Sequence, residues 1–204
     1  MGRALLTIAA AAAVAIALGG RAEAASRAAR LQHVTFIGDS VATAVSLDTY
    51  ARSIVSQGVD LDLETQACRR LEDPSCPPGP PTTIELIRSL GASVGPNVVI
   101  SVGYNDYANR YAAEIGDTLR ALDAAGVKRI FWLTLRAAHH PYIAMNAEIA
   151  AAAAAHPGMT VIDWNAYSRS HPDWFQDDGL HLVAGGEIAM AKLVHARLLA
   201  AGVA

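Results

Sequence analysis

Five short apolar runs recur along the chain, separated by longer segments in which the apolar residues have a different spacing. Several of these runs are continuous rather than alternating, and they are rich in β-branched residues. This pattern is typical of strands that are covered on both faces. The sequence therefore predicts buried strands near residues 33–38, 59–66, 97–103, 129–135 and 159–164.

The segments between these runs carry apolar residues at helical spacing. Thr82 or Thr83 is a candidate N-cap, Pro141 suits a first helical turn, and Gly126 suits a helix end. Helices are predicted at about 40–56, 82–90, 111–126, 141–158 and 184–201. Because strand and helix alternate throughout, we expect a three-layer α/β/α sandwich around a parallel sheet of about five strands.

The first 24 residues have the pattern of a secretory signal peptide. Arg3 precedes an uncharged apolar run, and a small-residue cleavage site ends at Ala24. We expect cleavage there, a linker over residues 25–32 and one domain over residues 33–204, in a secreted protein. An uncleaved membrane anchor is the alternative, although the run is short for a span.

Charge narrows the class of partner. Removing residues 1–24 takes away two arginines and one glutamate, which changes the formal net charge from −3 to −4. A mildly acidic chain without a cluster of Lys or Arg is a poor match for nucleic acid or for an anionic membrane surface. We expect a monomer that does not insert stably into a membrane once the signal segment is removed.

The two cysteines of the chain, Cys68 and Cys76, lie close together in a loop rich in proline and charge. Their spacing matches neither a redox pair nor half of a zinc site. In an exported protein a local disulfide is the natural interpretation. Two free buried thiols are the alternative.

The first predicted strand ends in Gly38, Asp39 and Ser40. These residue types favour turns and helix caps, so an ordinary turn is one interpretation. In an open α/β sheet, however, reactive groups collect at the carboxyl ends of the strands. Ser40 would lie at that edge, where a serine needs a base to accept its proton.

One histidine stands out as a candidate base. His181 follows Asp178 by three residues in a Gly-containing loop before the last helix, and a tight turn can bring that carboxylate against the imidazole Nδ1–H. Asp177 is the competing partner for the His181 imidazole. A solvated acidic loop without a functional role is the structural alternative. His33, His156 and His195 are interpreted as surface or capping residues.

The segment Gly103-Tyr104-Asn105-Asp106 ends the central predicted strand. The Asn105 side-chain amide is a candidate donor to an oxygen on which negative charge develops. Gly103 permits close approach of the backbone, and Asp106 is a candidate cap of the following helix. A turn followed by an N-cap is the structural alternative.

Together, "GDS" after the first strand, "GYND" after a later one and "DGLH" before the last helix resemble three of the four sequence blocks of the SGNH hydrolases, the Gly-Asp-Ser esterases and lipases. The resemblance covers residues 33–201 and implies a flavodoxin-like fold. It implies that Ser40 is the nucleophile, His181 the general base and Asp178 its orienting partner. Asn105 and the Ser40 amide would form the oxyanion hole, with Asp39 and Gly103 in support.

The remaining block departs from that family pattern. The family has a glycine after the second strand whose amide donates to the oxyanion, and here Cys68 is the best match for it. A backbone donor needs no particular side chain, but cysteine tolerates unusual dihedrals less well than glycine. A bridge to Cys76 is one way to hold the loop. Whether the amide of Cys68 or that of Arg69 points at the site is left open.

The resemblance implies hydrolysis of a small-molecule, glycan or lipid ester through an acyl-enzyme, without a cofactor. An O-acyltransferase with the same residues and a secreted binding module are the alternatives. A metal hydrolase is disfavoured, because adjacent residues such as His139 and His140 point in different directions. Residues that could line a pocket are Tyr104, Tyr107, Arg136, Tyr142, Trp174 and Phe175.

Overall fold

The structure is a computed structural model that describes residues 31–137 and 140–204. The predicted signal peptide and most of the predicted linker at 25–32 lie outside the described residues. Gln32–Ala204 forms one unit. Within it, no helix of the described residues is both long enough and apolar enough to cross a bilayer.

A five-stranded parallel sheet forms the centre of the domain, in the order β2–β1–β3–β4–β5, which confirms the predicted fold class. Four of the strands end up to two residues earlier than predicted, because the chain turns there into the loops at the carboxyl edge. The strands are β1 (Gln32–Gly38), β2 (Val59–Thr65), β3 (Asn97–Ser101), β4 (Arg129–Leu133) and β5 (Met159–Ile162).

Seven α-helices are described around this sheet. They are α1 (Ser40–Leu47), α2 (Thr49–Val55), α3 (Thr83–Leu90), α4 (Tyr111–Ala124), α5 (His140–Ala155), α6 (Trp164–Ser168) and α7 (Ala184–Ala200). Short 3₁₀ turns span Gly91–Val94 and Pro172–Trp174. The α3 N-cap is Thr82, which forms a capping box with Glu85.

The structure differs from the predicted helices in two places. The single helix expected over 40–56 is interrupted at Asp48, whose carboxylate accepts a hydrogen bond from the Ala51 amide at 2.6 Å and so starts α2 as a new helix. The helix α6 was not predicted, because five residues are too few to show a helical period. Asp163 caps it by accepting from the Ala166 amide.

The two faces of the sheet are covered by separate apolar clusters. One contains residues of α1, α2 and α7, and the other contains residues of α3, α4 and α5. All five residues of β3 are buried, as expected for a central strand of a parallel sheet. β2 lies on one side of β1, and β3, β4 and β5 follow on the other side. The direction in which successive strands are added to the sheet therefore reverses beside β1. This is the switch point where α/β sheets bind their ligands.

Gly38, the last residue of β1, allows α1 to pack closely on the sheet. A Cβ atom at this position would lie 2.3 Å from the Ala42 Cβ and 3.2 Å from the Thr65 Cγ2. We expect Gly38→Ala to lower the free energy of unfolding by about 1–3 kcal/mol, because α1 has to shift. Chemical denaturation measures this change.

The matched control is Gly116→Ala in the middle of α4, where the nearest atom to an added Cβ is the Arg120 guanidinium at 3.6 Å. This substitution should raise the free energy of unfolding by up to about 1 kcal/mol, because alanine favours a helix interior over glycine. Equal effects of the two substitutions would contradict the packing argument.

Candidate active site

A hydroxyl, an imidazole and a carboxylate meet at the carboxyl edge of the sheet. His181 Nε2 lies 3.0 Å from Ser40 Oγ, and His181 Nδ1 lies 2.5 Å from Asp178 Oδ2. The structure thus brings together the three residues that the sequence pointed to, and it pairs the imidazole with Asp178 rather than with Asp177. This arrangement can accept the proton of the serine hydroxyl.

The Asp178 carboxylate also organises the turn that carries His181. Its Oδ1 accepts hydrogen bonds from the amides of Leu180 and His181, each at 2.9 Å, and Gly179 between them has a φ of +71°. The hydrogen bond from His181, followed by these amides, lowers the pKa of Asp178 to about 2. The carboxylate is therefore ionised at neutral pH, although its side chain is 45% exposed.

The loop that presents His181 is held at its base by backbone pairing. Phe175 and Leu182 form an antiparallel bridge, and the Gln176 amide donates to the His181 carbonyl at 2.8 Å. The Val183 amide donates to the Trp174 carbonyl at 3.0 Å. The imidazole is thereby fixed relative to the start of α7.

Ser40 begins α1, and Asp39 is the N-cap of that helix. Because Ser40 is the first helical residue, its amide has no intrahelical acceptor and lies at the positive end of the helix dipole. Asp39 is fully buried and accepts from the amides of Val41, Gly103 and Tyr104. Burial raises the pKa of Asp39 to about 6, and these three hydrogen bonds oppose that rise.

The loop after β3 brings Asn105 beside the turn that follows β2. Its side-chain nitrogen donates to the Arg69 carbonyl at 3.3 Å, which leaves the second N–H of the amide for another acceptor. Gly103 is required by close packing, since an added Cβ would lie 2.6 Å from the Tyr111 hydroxyl and 2.8 Å from the Leu135 side chain.

The turn after β2 holds the cysteine that matches the family glycine. The Arg69 amide donates to the Gln66 carbonyl across this turn at 3.3 Å. Cys68, its third residue, has a φ of +66°, a conformation that favours glycine. The disulfide between Cys68 and Cys76 is formed. The Arg69 amide is engaged in the turn, whereas the Cys68 amide has no acceptor within the described ranges 31–137 and 140–204.

Asp106 does not cap the following helix, and that prediction was wrong. Arg110 occupies the N-cap of α4, and its side chain makes no capping hydrogen bond there. Asp106 points instead to the neighbouring loop, where its Oδ1 accepts from the Leu71 amide at 2.8 Å, and its carboxyl lies against that of Glu114. Burial beside this second carboxyl raises the pKa of Asp106, and burial also raises the pKa of Glu114.

Two residues that support the loops were missed by sequence reasoning. The Arg70 Nε donates to the Asn105 carbonyl at 2.6 Å, and the Ser75 hydroxyl donates to the Cys68 carbonyl. Arg70 lies 35 positions from its partner, and no local pattern marks such a contact. The proximity of Ser75 to the cysteine pair was the only available signal.

The residues proposed to line a pocket have different environments. The Tyr104 hydroxyl accepts from the Arg136 amide at 2.7 Å, and its ring makes an edge contact with Tyr142, so it serves mainly as packing. Phe175 is buried, and the Arg136 guanidinium lies 3.8 Å from the centre of the Phe175 ring. Tyr107, in contrast, is 53% exposed, and the centre of its ring lies 4.3 Å from the Arg70 guanidinium.

The other histidines have separate surroundings. His33 pairs with Asp60 at 3.1 Å, and His171 stacks on Trp174 with ring centres 3.8 Å apart. His139 lies outside the described residues. Among the residues that are described, no group of three or more His, Cys, Asp or Glu side chains is arranged to hold a metal ion.

Solved structures share this architecture over most of the chain. Esterase EstA from Pseudoalteromonas sp. has a TM-score of 0.58 at 12% identity, covering 84% of this chain and 98% of its own. A family 3 carbohydrate esterase from Clostridium thermocellum has a TM-score of 0.60 at 14% identity, with 86% and 100% covered. The chain has the SGNH hydrolase fold. At these identities, the likeness establishes the fold.

Two of the proteins that are similar to this chain are named for acyl transfer. The salicylyl-acyltransferase SsfX3 from a tetracycline biosynthetic pathway has a TM-score of 0.59 at 15% identity, with 86% of this chain and 57% of SsfX3 covered. YrhL of Bacillus subtilis (strain 168), which is named as a peptidoglycan O-acetyltransferase, is 28% identical over 113 residues. That match spans 54% of this chain and 17% of YrhL. No family model matches the chain.

The pair of buried carboxyls at Asp106 and Glu114 predicts a pH-dependent stability. Because their pKa values are raised in the folded state, the native protein holds more protons than the unfolded chain above about pH 4, and stability falls as the pH rises. Asp106→Asn keeps an acceptor for the Leu71 amide but cannot lose a proton. We expect this variant to lose less stability than the wild type between pH 5 and pH 8.

Urea denaturation at both pH values measures this difference. Asp62→Asn, which removes a carboxylate from an exposed position on β2, is the matched control and should keep the wild-type dependence. A decline in the Asp106→Asn variant as steep as that of the wild type would contradict the assignment.

Proposed function

We propose that the chain is a serine-dependent carboxylic ester hydrolase of the SGNH type. The observation that carries the proposal is the continuous hydrogen-bonded series from Asp178 through His181 to Ser40, with 2.5 and 3.0 Å between successive side chains. Its position at the carboxyl edge of β1, beside the switch point of the sheet, supports a role in substrate binding and chemistry.

In this proposal Ser40 Oγ attacks the ester carbonyl while His181 Nε2 accepts its proton. Asp178 keeps the imidazole oriented and stabilises it once it is charged. His181 then protonates the departing alcohol, which leaves the acyl group on Ser40. A water molecule, deprotonated by His181, releases the acyl group by the reverse steps and restores the hydroxyl.

Three N–H groups around Ser40 are the proposed oxyanion hole. They are the backbone amides of Ser40 and Cys68 and the side-chain amide of Asn105. The Ser40 amide lies at the N-terminus of α1, where the helix dipole favours negative charge. Asn105 retains an N–H beyond the one that it gives to the Arg69 carbonyl.

The proposed substrate is a small-molecule, glycan or lipid ester. The carbohydrate esterase among the similar structures supports a glycan ester. The side chains of Asp178 and His181 are 45% and 44% exposed, which supports entry of a bulky substrate from solvent. The signal-like segment at residues 1–24 and the Cys68–Cys76 disulfide support export of the protein.

Acyl transfer to a sugar or other alcohol is the second candidate, and the likeness to YrhL favours it. The same three side chains perform both reactions, because an alcohol can replace water in the second step. Product analysis of an acetyl ester in the presence of a competing sugar alcohol distinguishes them. Free acetate as the main product supports hydrolysis, and an acetylated acceptor supports transfer.

Replacing Ser40 with alanine should lower kcat on a short-chain chromogenic ester by at least ~10³-fold, because the attacking oxygen is removed. The wild type should also lose activity when a phosphonate ester labels it, with one adduct per chain in the intact mass. Turnover by Ser40→Ala at the wild-type rate would contradict the proposal. A wild type that binds esters without hydrolysing them would also contradict it.

The adjacent residues Asp177 and Asp178 allow a matched test of the role of Asp178. Asp178→Asn removes the charge that orients His181, and kcat should fall by at least ~10²-fold. Asp177→Asn removes the same charge one residue away and should leave kcat within about twofold of the wild type. Steady-state kinetics with both variants checks this prediction, and similar losses in the two would contradict it.

A further inference from the structure

The turn after β2 has an unfavourable backbone conformation at Cys68. A turn whose third residue has a positive φ favours glycine, because a Cβ atom crowds the backbone there. Cys68 nevertheless has a φ of +66°. Released from other constraints, a residue with a side chain would leave this region, and its amide would change direction.

Both the side chain and the carbonyl of Cys68 are held by one short segment. The sulfur is bonded to Cys76, eight residues further along, and the carbonyl accepts a hydrogen bond from the Ser75 hydroxyl. A second contact holds this loop from α4, where the Arg110 guanidinium pairs with Asp73. The loop from 68 to 76 is thus closed on itself and fixed to a helix.

The opposite side of the turn is fixed to the loop after β3. The Arg69 carbonyl accepts from Asn105, and the Leu71 amide donates to Asp106. The flanking residues therefore have partners on the β3 side. Cys68 directly precedes them, with its amide free among the described residues and its carbonyl turned to Ser75.

We propose that the Cys68–Cys76 disulfide replaces the glycine of an SGNH oxyanion hole by holding Cys68 in the left-handed conformation that aims its amide at the Ser40 site. This inference rests on the proposed function. Cys76 is in this view a positioning residue that never touches the substrate. Cys76 is exposed, so we expect a reductant in solution to reach the bond.

The test compares two double variants that both lack the disulfide. Cys68→Ala/Cys76→Ser keeps a Cβ atom at position 68, whereas Cys68→Gly/Cys76→Ser places there the residue that adopts a positive φ freely. We expect the alanine variant to lose about 10²-fold in kcat with KM changed less than about threefold, as for loss of one oxyanion donor. The glycine variant should keep at least about ten times the kcat of the alanine variant, because glycine adopts the positive φ without the bond.

Reduction of the wild type is the second measurement. Tris(2-carboxyethyl)phosphine supplies two electrons, each sulfur takes up one proton, and the phosphine becomes its oxide with oxygen from water. The reduced wild type should lose kcat to a similar extent, whereas the glycine variant should be unaffected by the same treatment. Circular dichroism at the assay temperature verifies that each protein is folded.

Two results would overturn the inference. Wild-type kcat in the folded alanine variant would show that no positioning by the disulfide is needed. Equal losses in the alanine and glycine variants would show that the disulfide only supports the loop in general. If the alanine variant does not fold, the reduced wild type and the glycine variant decide between these outcomes.

Failure of the proposed function has a different signature, namely a wild type without Ser40-dependent turnover of any ester. The inference is then decided by ¹H–¹⁵N spectra. Reduction should shift the Asn105 side-chain amide signal in the wild type but not in the glycine variant, and an unchanged Asn105 signal in the wild type would overturn it.

Discussion

A buried carboxylate, Asp39, joins the two loops on which the candidate site depends. One oxygen caps the helix that begins with Ser40, and the other accepts the amides of Gly103 and Tyr104 after β3. Burying a carboxylate is costly unless hydrogen bonds satisfy it, and three amides do so here. The serine and the Asn105 loop are therefore fixed relative to each other by the chain itself, before any substrate binds.

The remaining parts of the site are attached to this centre by different means. The His181 turn is organised by Asp178 and supported by backbone pairing with the segment around Phe175. The turn after β2 is fastened to the β3 loop through hydrogen bonds and closed by a disulfide. These two turns and the Asp39 centre come from segments far apart in sequence, and the parallel sheet brings them to one edge. Rigidity at this edge is what preorganised donors require.

The sequence predicted the sheet, and it pointed to the three side chains that the structure brings together at its edge, because both leave local signals. Continuous apolar runs mark strands covered on both faces. A serine and an asparagine directly after such runs, and an Asp-x-x-His turn before the last helix, mark the candidate site. The break at Asp48 was missed because the apolar period continues across it. The direction of Asp106 was missed because its partner, the Leu71 amide, lies 35 positions away and backbone amides carry no sequence signal.

The disulfide lies beyond β2, which is an edge strand of the sheet formed by the described residues and pairs there with β1. A loop that leaves an edge strand has neighbouring structure on one side, so a cross-link made within the loop adds to its attachment to the β3 loop. The residues at positions 68 and 76 are then expected to change together in evolution. Losing either cysteine alone leaves an unpaired thiol and a poorly held turn, so descendants of this chain should keep both cysteines or replace both, with glycine the favoured residue at position 68.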